Sequence, residues 1–456
     1  MNIHSSGTSV AFAKDVLGIG QRGLRDADRE QLRRLLLDCY GVSRVGAAQP
    51  WSVSLGTWAR RFSGAGKAPV ISTNIFAPPM TAAFVNGTAA HGYELDDTHE
   101  ASMSHPGSVV IPAALAVAAE RDCAMEETLV AIACGYEVMA RLGMAARVND
   151  IIHDGFHPTA LFGPFGSATA AGVLMELDEY DLCRAWGHAL SLTGGSMQFS
   201  DETTGTAVKR LHAGYAAQNG VLAAEMAGCG IEAPHAALDG KYGFLALFAR
   251  HPDPSLLRVN EDDELQIHRT SFKPYACCRL FHAAIDCIEA IRHESGQAHA
   301  AITGITVRAP GVVAEQHMLQ NPGTAMAAQY SLPFVAAATA IYGPHRHDIY
   351  QDDKLGDPAI KALADRVKCV ADPDIEAAYP AQMGSSVDIR FADGTVHTRT
   401  LMDCLGTAAN PMSTDALCGK AAGLLRMAGP ATDAQAARCM IWSESRGRAL
   451  AALFAH

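Results

Sequence analysis

The chain has 456 residues, 49% hydrophobic and 18% charged, with a formal net charge of −12. That length is more than one core usually fills and predicts two domains. An acidic chain without a Lys/Arg run excludes nucleic acid as the expected partner. Its 12 cysteines are diluted through apolar stretches without zinc-like spacing. The opening MNIHSSGTSVAFAKDVLGIG has no basic-then-apolar leader, and no apolar run is clean enough to predict a membrane span. Reduced thiols in a cytoplasmic protein are therefore expected.

Residues 8–48 predict two helices broken near Gly18–Gly23, with Leu32, Leu35 and Leu36 at helical spacing. The stretch 51–79 reads as loop-rich, and a small-residue helix follows over 80–92. Next comes a dense polar island holding Glu94, Asp96, Asp97, Thr98, His99 and His105. Two apolar helices are predicted after it, over 109–120 and 125–143. Tyr136, Glu137 and Arg141 in the second are expected to make ordinary contacts between helices. His157-Pro158 falls in a loop, and GPFGSATAAG begins a helix whose glycines allow close packing. It is not a nucleotide-binding fingerprint. In GTAVKRLHAGYAAQNG, Lys209 and His212 share a helix face, with no acidic residue nearby in sequence to pair with Lys209.

An acidic, proline-bearing stretch at 253–264 reads as a linker. Lys273, Arg279 and His282 follow, with no acid between 265 and 285. Alternation over 304–309 predicts a strand, and SSVDIRFADGTVHTRTL predicts a hairpin turning at Asp393-Gly394. The last 45 or so residues return to helix and are expected to pack on the first domain.

Four polar islands emerge: 94–105, His157, Lys209/His212 and Lys273/Arg279/His282. Imidazole exchanges protons near neutral pH, while Lys and Arg hold carboxylates and stabilise charge developing on them. Together they suit proton abstraction beside a carboxylate. Asp96, Asp97, His99 and His105 are also acceptable metal ligands, but no helical metal-binding spacing accompanies them. Cys277 and Cys278, beside Lys273 and Arg279, read as packing residues before nucleophiles. His188, His235 and His317 receive no role.

Five segments in order, NGTAAHGYELDDTHEASMSHPGSVVIPAALAVAAE, GFHPTALFGPFGSATAAG, GTAVKRLHAGYAAQNG, FKPYACCRLFHAAID and AQYSLPFVAA, resemble the hallmark segments of the MmgE/PrpD family. That family includes 2-methylcitrate dehydratase, cis-aconitate decarboxylase and iminodisuccinate epimerase. The resemblance implies a mainly α fold, with a large all-helical domain (1–268 and 406–456) and an inserted, smaller α+β lid domain (269–405). It implies a homodimer, no metal, flavin or nucleotide cofactor, and an active site between helical domain and lid. Carried across by motif, the catalytic set is His105, His157, Asp96, Lys209 and Lys273. The substrate-binding set is Glu94, Thr98, His212, Arg279 and His282. Asp96 with Thr98 is expected to orient His105 or a leaving hydroxyl.

The expected substrate is a small anionic di- or tricarboxylate, with no nucleic-acid or membrane partner. The leading expectation is a 2-methylcitrate dehydratase-like lyase, followed by an epimerase of an imino- or amino-dicarboxylate. A cis-aconitate decarboxylase-like activity comes next, because Cys278 stands where the decarboxylase branch carries a histidine. A non-catalytic carboxylate binder and a metallohydrolase are the rivals from other classes.

Overall fold

The computed structural model describes residues 7–201, 206–429 and 434–453. Residues 202–205, just before the Lys209 helix in sequence, lie outside the described residues, as do the first six residues of the opening stretch. The protein is mostly helical, with a small sheet in the C-terminal region. It divides into two compact units: 1–199 with 207–271 and 413–456, and 200–206 with 272–412.

The first unit begins with α1 (Thr8–Arg22) and α2 (Asp26–Ala47). The break falls at Gly23, in a left-handed conformation with φ 77°, later than Gly18 and Gly20, which stay helical. The expected loop after Trp51 is instead helix α3 (Pro50–Phe62). Pro50 starts it at the first helical position, where the missing N–H costs nothing. Its buried face is Ser52, Gly56 and Ala59, while Val53 and Phe62 are exposed. Large residues pointing outward hid the helical period. A two-residue pair of strands, β1 (Ala68–Pro69) and β2 (Phe76–Ala77), closes the loop before α4 (Pro79–Ala90).

A short strand, β3 (Thr98–His99), then leads to α5 (Pro106–Arg121) and α6 (Met125–Ala145). Contrary to the sequence expectation, α6 is long and apolar enough to cross a membrane by length and composition. It is a buried core helix here, and its Glu137 and Arg141 pair at 2.5 Å. A short α7 (Val148–His153), then α8 (Pro158–Leu174), α9 (Glu179–Leu192) and α10 (Val208–Gly228) complete the core. Helix α8 starts at Pro158, one turn before the predicted start, and runs through Pro164.

Close approach between these helices is set by glycine. A Cβ on Gly163 would lie 2.6 Å from the Ala216 Cβ, and one on Gly87 would lie 3.0 Å from the Ser108 carbonyl. Small facing residues let the backbones come within reach of each other and bury the apolar stripe of each helix. The stretch 253–264 is not a free linker but is pinned to this unit. Arg258 Nε donates to Asp15 at 2.6 Å, and Asp263 accepts from Arg141 at 3.2 Å. Strand β4 (Thr270–Ser271) pairs antiparallel with β3, Thr98 opposite Ser271. The C-terminal helix Thr414–Ala428 belongs to the same unit, and Lys420 donates to Asp38 at 2.6 Å.

In the second unit four strands lie in the order β6-β5-β7-β8: β5 (Ile302–Ala309), β6 (Val367–Ala371), β7 (Ser385–Phe391) and β8 (Val396–Leu401). The hairpin β7–β8 turns at Asp393-Gly394, with Gly394 at φ 88° and Asp393 Oδ1 accepting from Thr395 N at 2.9 Å. Strand β6, parallel to β5, was not anticipated. Val370 is half-exposed and the strand buries only its first residue well, so its alternation is faint.

Candidate active site

The polar island at 94–105 is folded back on itself between α4 and α5. Glu94 takes a left-handed conformation, φ 55°, which a residue with a Cβ holds only where its surroundings compensate the strain. Here they do. Its carboxylate is buried, and both Lys209 Nζ and Arg210 Nη1, from the first turn of α10, pair with Oε1. Glu94 lies 115 residues from Lys209 in the chain, so the pairing leaves no local mark in the sequence. Both cations are buried, and a buried cation acts on an anion more strongly than it would in water.

Both histidines of the expected catalytic set occupy the same local device. His105 and His157 each stand just before a proline that begins an apolar helix, α5 and α8 respectively. Proline fixes the first helical φ, so the imidazole is delivered rigidly at a helix N-terminus. The positive end of the helix disfavours a protonated ring there. His157 is held well below the usual histidine range, by burial first and then by the neighbouring His91, Lys209, His212 and His105. His212 is pushed down to about 4, again mainly by burial. The two rings meet Nδ1 to Nδ1 at 3.0 Å. In a neutral pair one Nδ1 donates and the other accepts. The His157 backbone N–H donates to the carbonyl oxygen of Gly195, itself at φ 125°, at 2.9 Å.

His105 Nδ1 lies 2.8 Å from the Asp97 carbonyl, which can only accept, so Nδ1 carries a proton and, in the neutral ring, Nε2 the lone pair. Thr98 Oγ1 lies 3.4 Å from the same Nδ1. The Asp96 carboxylate was expected to orient His105. Its close partner is instead His91, whose Nδ1 lies 2.7 Å from Asp96 Oδ2, against 3.4 Å for His105. His91 was missed because it ends a small-residue helix without other polar neighbours in sequence.

Its ring lies 5.0 Å from His105 and 5.9 Å from His157, so four imidazoles are gathered in one buried cluster. His91 is also shifted down, by burial, against the opposing pull of Asp96.

Asp97 does a different job. One oxygen accepts the Gly107 N–H at the start of α5 at 2.8 Å, and the other accepts the Tyr136 hydroxyl at 2.6 Å. Burial pushes this carboxyl up to about 7 in spite of those bonds. His99 bridges Ser102 Oγ (2.9 Å) and Gln266 Oε1 (3.0 Å) and is an anchor.

Among the described residues, donor atoms of His91, Asp96 and His105 lie within 4.8 Å of one another, the grouping a metal ion would use. Bonds near 2 Å would draw all three donors to about 3 Å apart. His91 Nδ1 and His105 Nδ1 lie 2.7 and 3.4 Å from Asp96 Oδ2, so the same three groups form a hydrogen-bonded set and could also hold an ion.

In the second unit Lys273 is buried near the start, and the Arg279 Nη1 lies 2.6 Å from the Cys404 sulfur. His282 Nε2 is 3.4 Å from the Cys277 carbonyl. The acid-free stretch ends in Asp286, which accepts the Tyr275 hydroxyl and the Leu405 N–H, the latter at 2.7 Å. Cys277 and Cys278 are buried and free of disulfides. Glu94, Asp96, Thr98, His105, His157, Lys209 and His212 are thus gathered in the first unit, and Lys273, Arg279 and His282 in the second.

Comparison with known proteins agrees with the segments that first drew attention. The cis-aconitate decarboxylase-like protein oryM of Aspergillus oryzae is 27% identical over 388 residues, 80% of each chain. The cis-aconitate decarboxylase of Aspergillus terreus is 27% identical over 434 residues, 89% of this chain and 86% of that one. The human cis-aconitate decarboxylase is 26% identical over 420 residues, 89% and 85% of the two chains. The MmgE/PrpD N-terminal domain matches residues 10–257 and the MmgE/PrpD C-terminal domain residues 275–444. With both domains matched across most of its length, the chain belongs to the MmgE/PrpD family.

Proposed function

We propose that the protein is a cofactor-independent lyase acting next to a carboxylate of a di- or tricarboxylic acid, with dehydration of a 2-methylcitrate-like hydroxy-acid as the leading reaction. One observation carries this reading: two separately mounted imidazoles, His105 and His157, share a cluster with His91, close to the buried cations Lys209 and Arg210. Expelling hydroxide needs both a base and an acid. One imidazole takes the proton from the carbon beside the carboxylate, and the electron pair becomes the new double bond. The other imidazole gives its proton to the departing hydroxyl, which leaves as water.

Lys209 and Arg210 hold substrate carboxylates and stabilise the charge that builds on them. Thr98 and His212 contact the substrate, while Glu94 keeps Lys209 and Arg210 in place.

Decarboxylation is the second reading, favoured by the relatives, which are named cis-aconitate decarboxylases. It needs only one proton delivered, to the carbon that loses carbon dioxide. Epimerisation of an imino- or amino-dicarboxylate is third.

The deciding experiment follows citrate-, methylcitrate-, aconitate- and iminodisuccinate-type acids by NMR in deuterated water. A new alkene with loss of water marks dehydration, carbon dioxide release marks decarboxylation, and exchange with inversion marks epimerisation. Binding without turnover of any acid would overturn the lyase reading in favour of a carboxylate binder. Activity that disappears with a chelator and returns with metal would replace it with a metal-dependent one. Sedimentation equilibrium tests the homodimer that belongs to the same proposal.

A further inference from the structure

The Asp96 carboxylate is where two imidazoles compete. Its Oδ2 accepts from His91 Nδ1 at 2.7 Å and lies 3.4 Å from His105 Nδ1, which in turn donates to the Asp97 carbonyl at 2.8 Å. His91 is fully buried at the end of α4. Its Nε2 meets no hydrogen-bond partner among the described residues. A buried, unsatisfied ring nitrogen costs free energy that an apolar side chain of similar size would avoid. Packing therefore gives no reason for a histidine here; the bond to Asp96 does.

Resting on the lyase reading above, we infer that His91 is a positioning residue, whose Nδ1–H holds Asp96 in the rotamer that leaves His105 seated on the Asp97 carbonyl. Without that donor, Asp96 Oδ2 still has the His105 Nδ1–H within reach, 3.4 Å away. The imidazole would then be pulled from one acceptor to the other and its Nε2 lone pair would swing away from its working direction. The charged and titratable groups around the pair come from several elements. They are Asp38 on α2 with Lys420, Glu94 and Asp97 in the loop, His157 at the start of α8, and Lys209 on α10.

Two substitutions separate positioning from space-filling. His91→Asn keeps an N–H donor near the Nδ1 position, and His91→Leu keeps the volume without it. The imidazole nitrogen signals of His105 are read by NMR without substrate. Turnover and its pH profile are read on whichever acid the panel identifies. In His91→Asn the His105 signals match those of the parent, and kcat stays within about threefold. In folded His91→Leu the His105 Nδ1 signal moves, and kcat falls by roughly thirtyfold or more with KM nearly unchanged. The acidic limb of its pH profile also shifts upward, because Asp96, no longer engaged by His91, favours a protonated His105.

An unchanged His105 signal in His91→Leu overturns the inference, as does a His91→Asn variant as impaired as His91→Leu. Should His91→Leu fail to fold, His91→Gln gives the same contrast, since its amide reaches the Nε2 position and not Nδ1. A panel without turnover would sink the lyase reading and leave the NMR comparison to decide this one.

Discussion

The Tyr136 hydroxyl donates to Asp97 Oδ2 at 2.6 Å, while Oδ1 of the same carboxylate accepts the Gly107 N–H at 2.8 Å. One buried acid thereby ties the middle of α6 to the first turn of α5, next to His105. Tyr136→Phe removes a hydrogen bond to that acid and should cost about 1–3 kcal/mol of stability. The cost depends on pH in a defined direction. Asp97 sits at about 7, above its unfolded value near 3.9, so its contribution is fully present below the unfolded value and is lost as pH rises through 7. Losing the tyrosine raises the folded value further. Denaturant curves should therefore show a larger deficit for Tyr136→Phe at pH 8 than at pH 5.

The same junction has no room for a methyl group. A Cβ on Gly107 would lie 2.7 Å from both Asp97 Oδ1 and Tyr136 Oη. Gly107→Ala should destabilise by about 2–4 kcal/mol through forced displacement of the pair. Gly419, inside the helix Thr414–Ala428, has nothing within 4 Å of its Cβ direction, so Gly419→Ala should be neutral or stabilising by up to about 1 kcal/mol. Thermal melts of the two variants give opposite signs if the packing is as described.

Lys209 and Glu94 form part of a buried three-member charge set with Arg210. Lys209→Met should lower turnover by roughly a hundredfold or more. It should also destabilise the fold, because the buried Glu94 carboxylate loses a cation. Adding Glu94→Gln should recover much of the stability and little of the turnover. A double-mutant cycle measures both, and recovery of full activity would remove Lys209 from the chemistry.

Acid stability should report His99. Its pKa is pushed down to about 4, by burial first, with the Gln266 bond opposing and the charges of Arg269 and Arg141 adding to the fall. A histidine depressed in the fold stays neutral there while the unfolded chain takes up a proton below pH 6.5. Its stabilisation is present above the unfolded value and is lost as pH falls through 4. The loss attributable to this group is roughly 3 kcal/mol. His99→Asn should show a correspondingly flatter decline between pH 6.5 and 4 in equilibrium unfolding, whatever its stability at neutral pH.

Much of the site was readable because its determinants are local. The polar island beside an apolar helix, the two His-Pro steps at 105 and 157, and the Asp393-Gly394 hairpin are patterns of neighbours in sequence, and periodicity and turn chemistry act over a few residues. Helix α3 was lost because its inward face is Ser52, Gly56 and Ala59, which carry little hydrophobic signal. His91 was lost for the complementary reason: a single polar residue at the end of a small-residue helix looks like an isolated core histidine.

What the sequence determined by itself is the chemistry on offer: imidazoles, carboxylates and cations carried on apolar helices, in a pattern shared with one family. What only the tertiary structure decided is which of them are partners. Lys209 and Arg210 meet Glu94 across more than a hundred residues, and Asp96 turns to His91 before His105. Those pairings depend on how closely glycine-lined helices approach and on how strongly burial penalises an unpaired charge. Neither quantity is written in the spacing of residues along the chain.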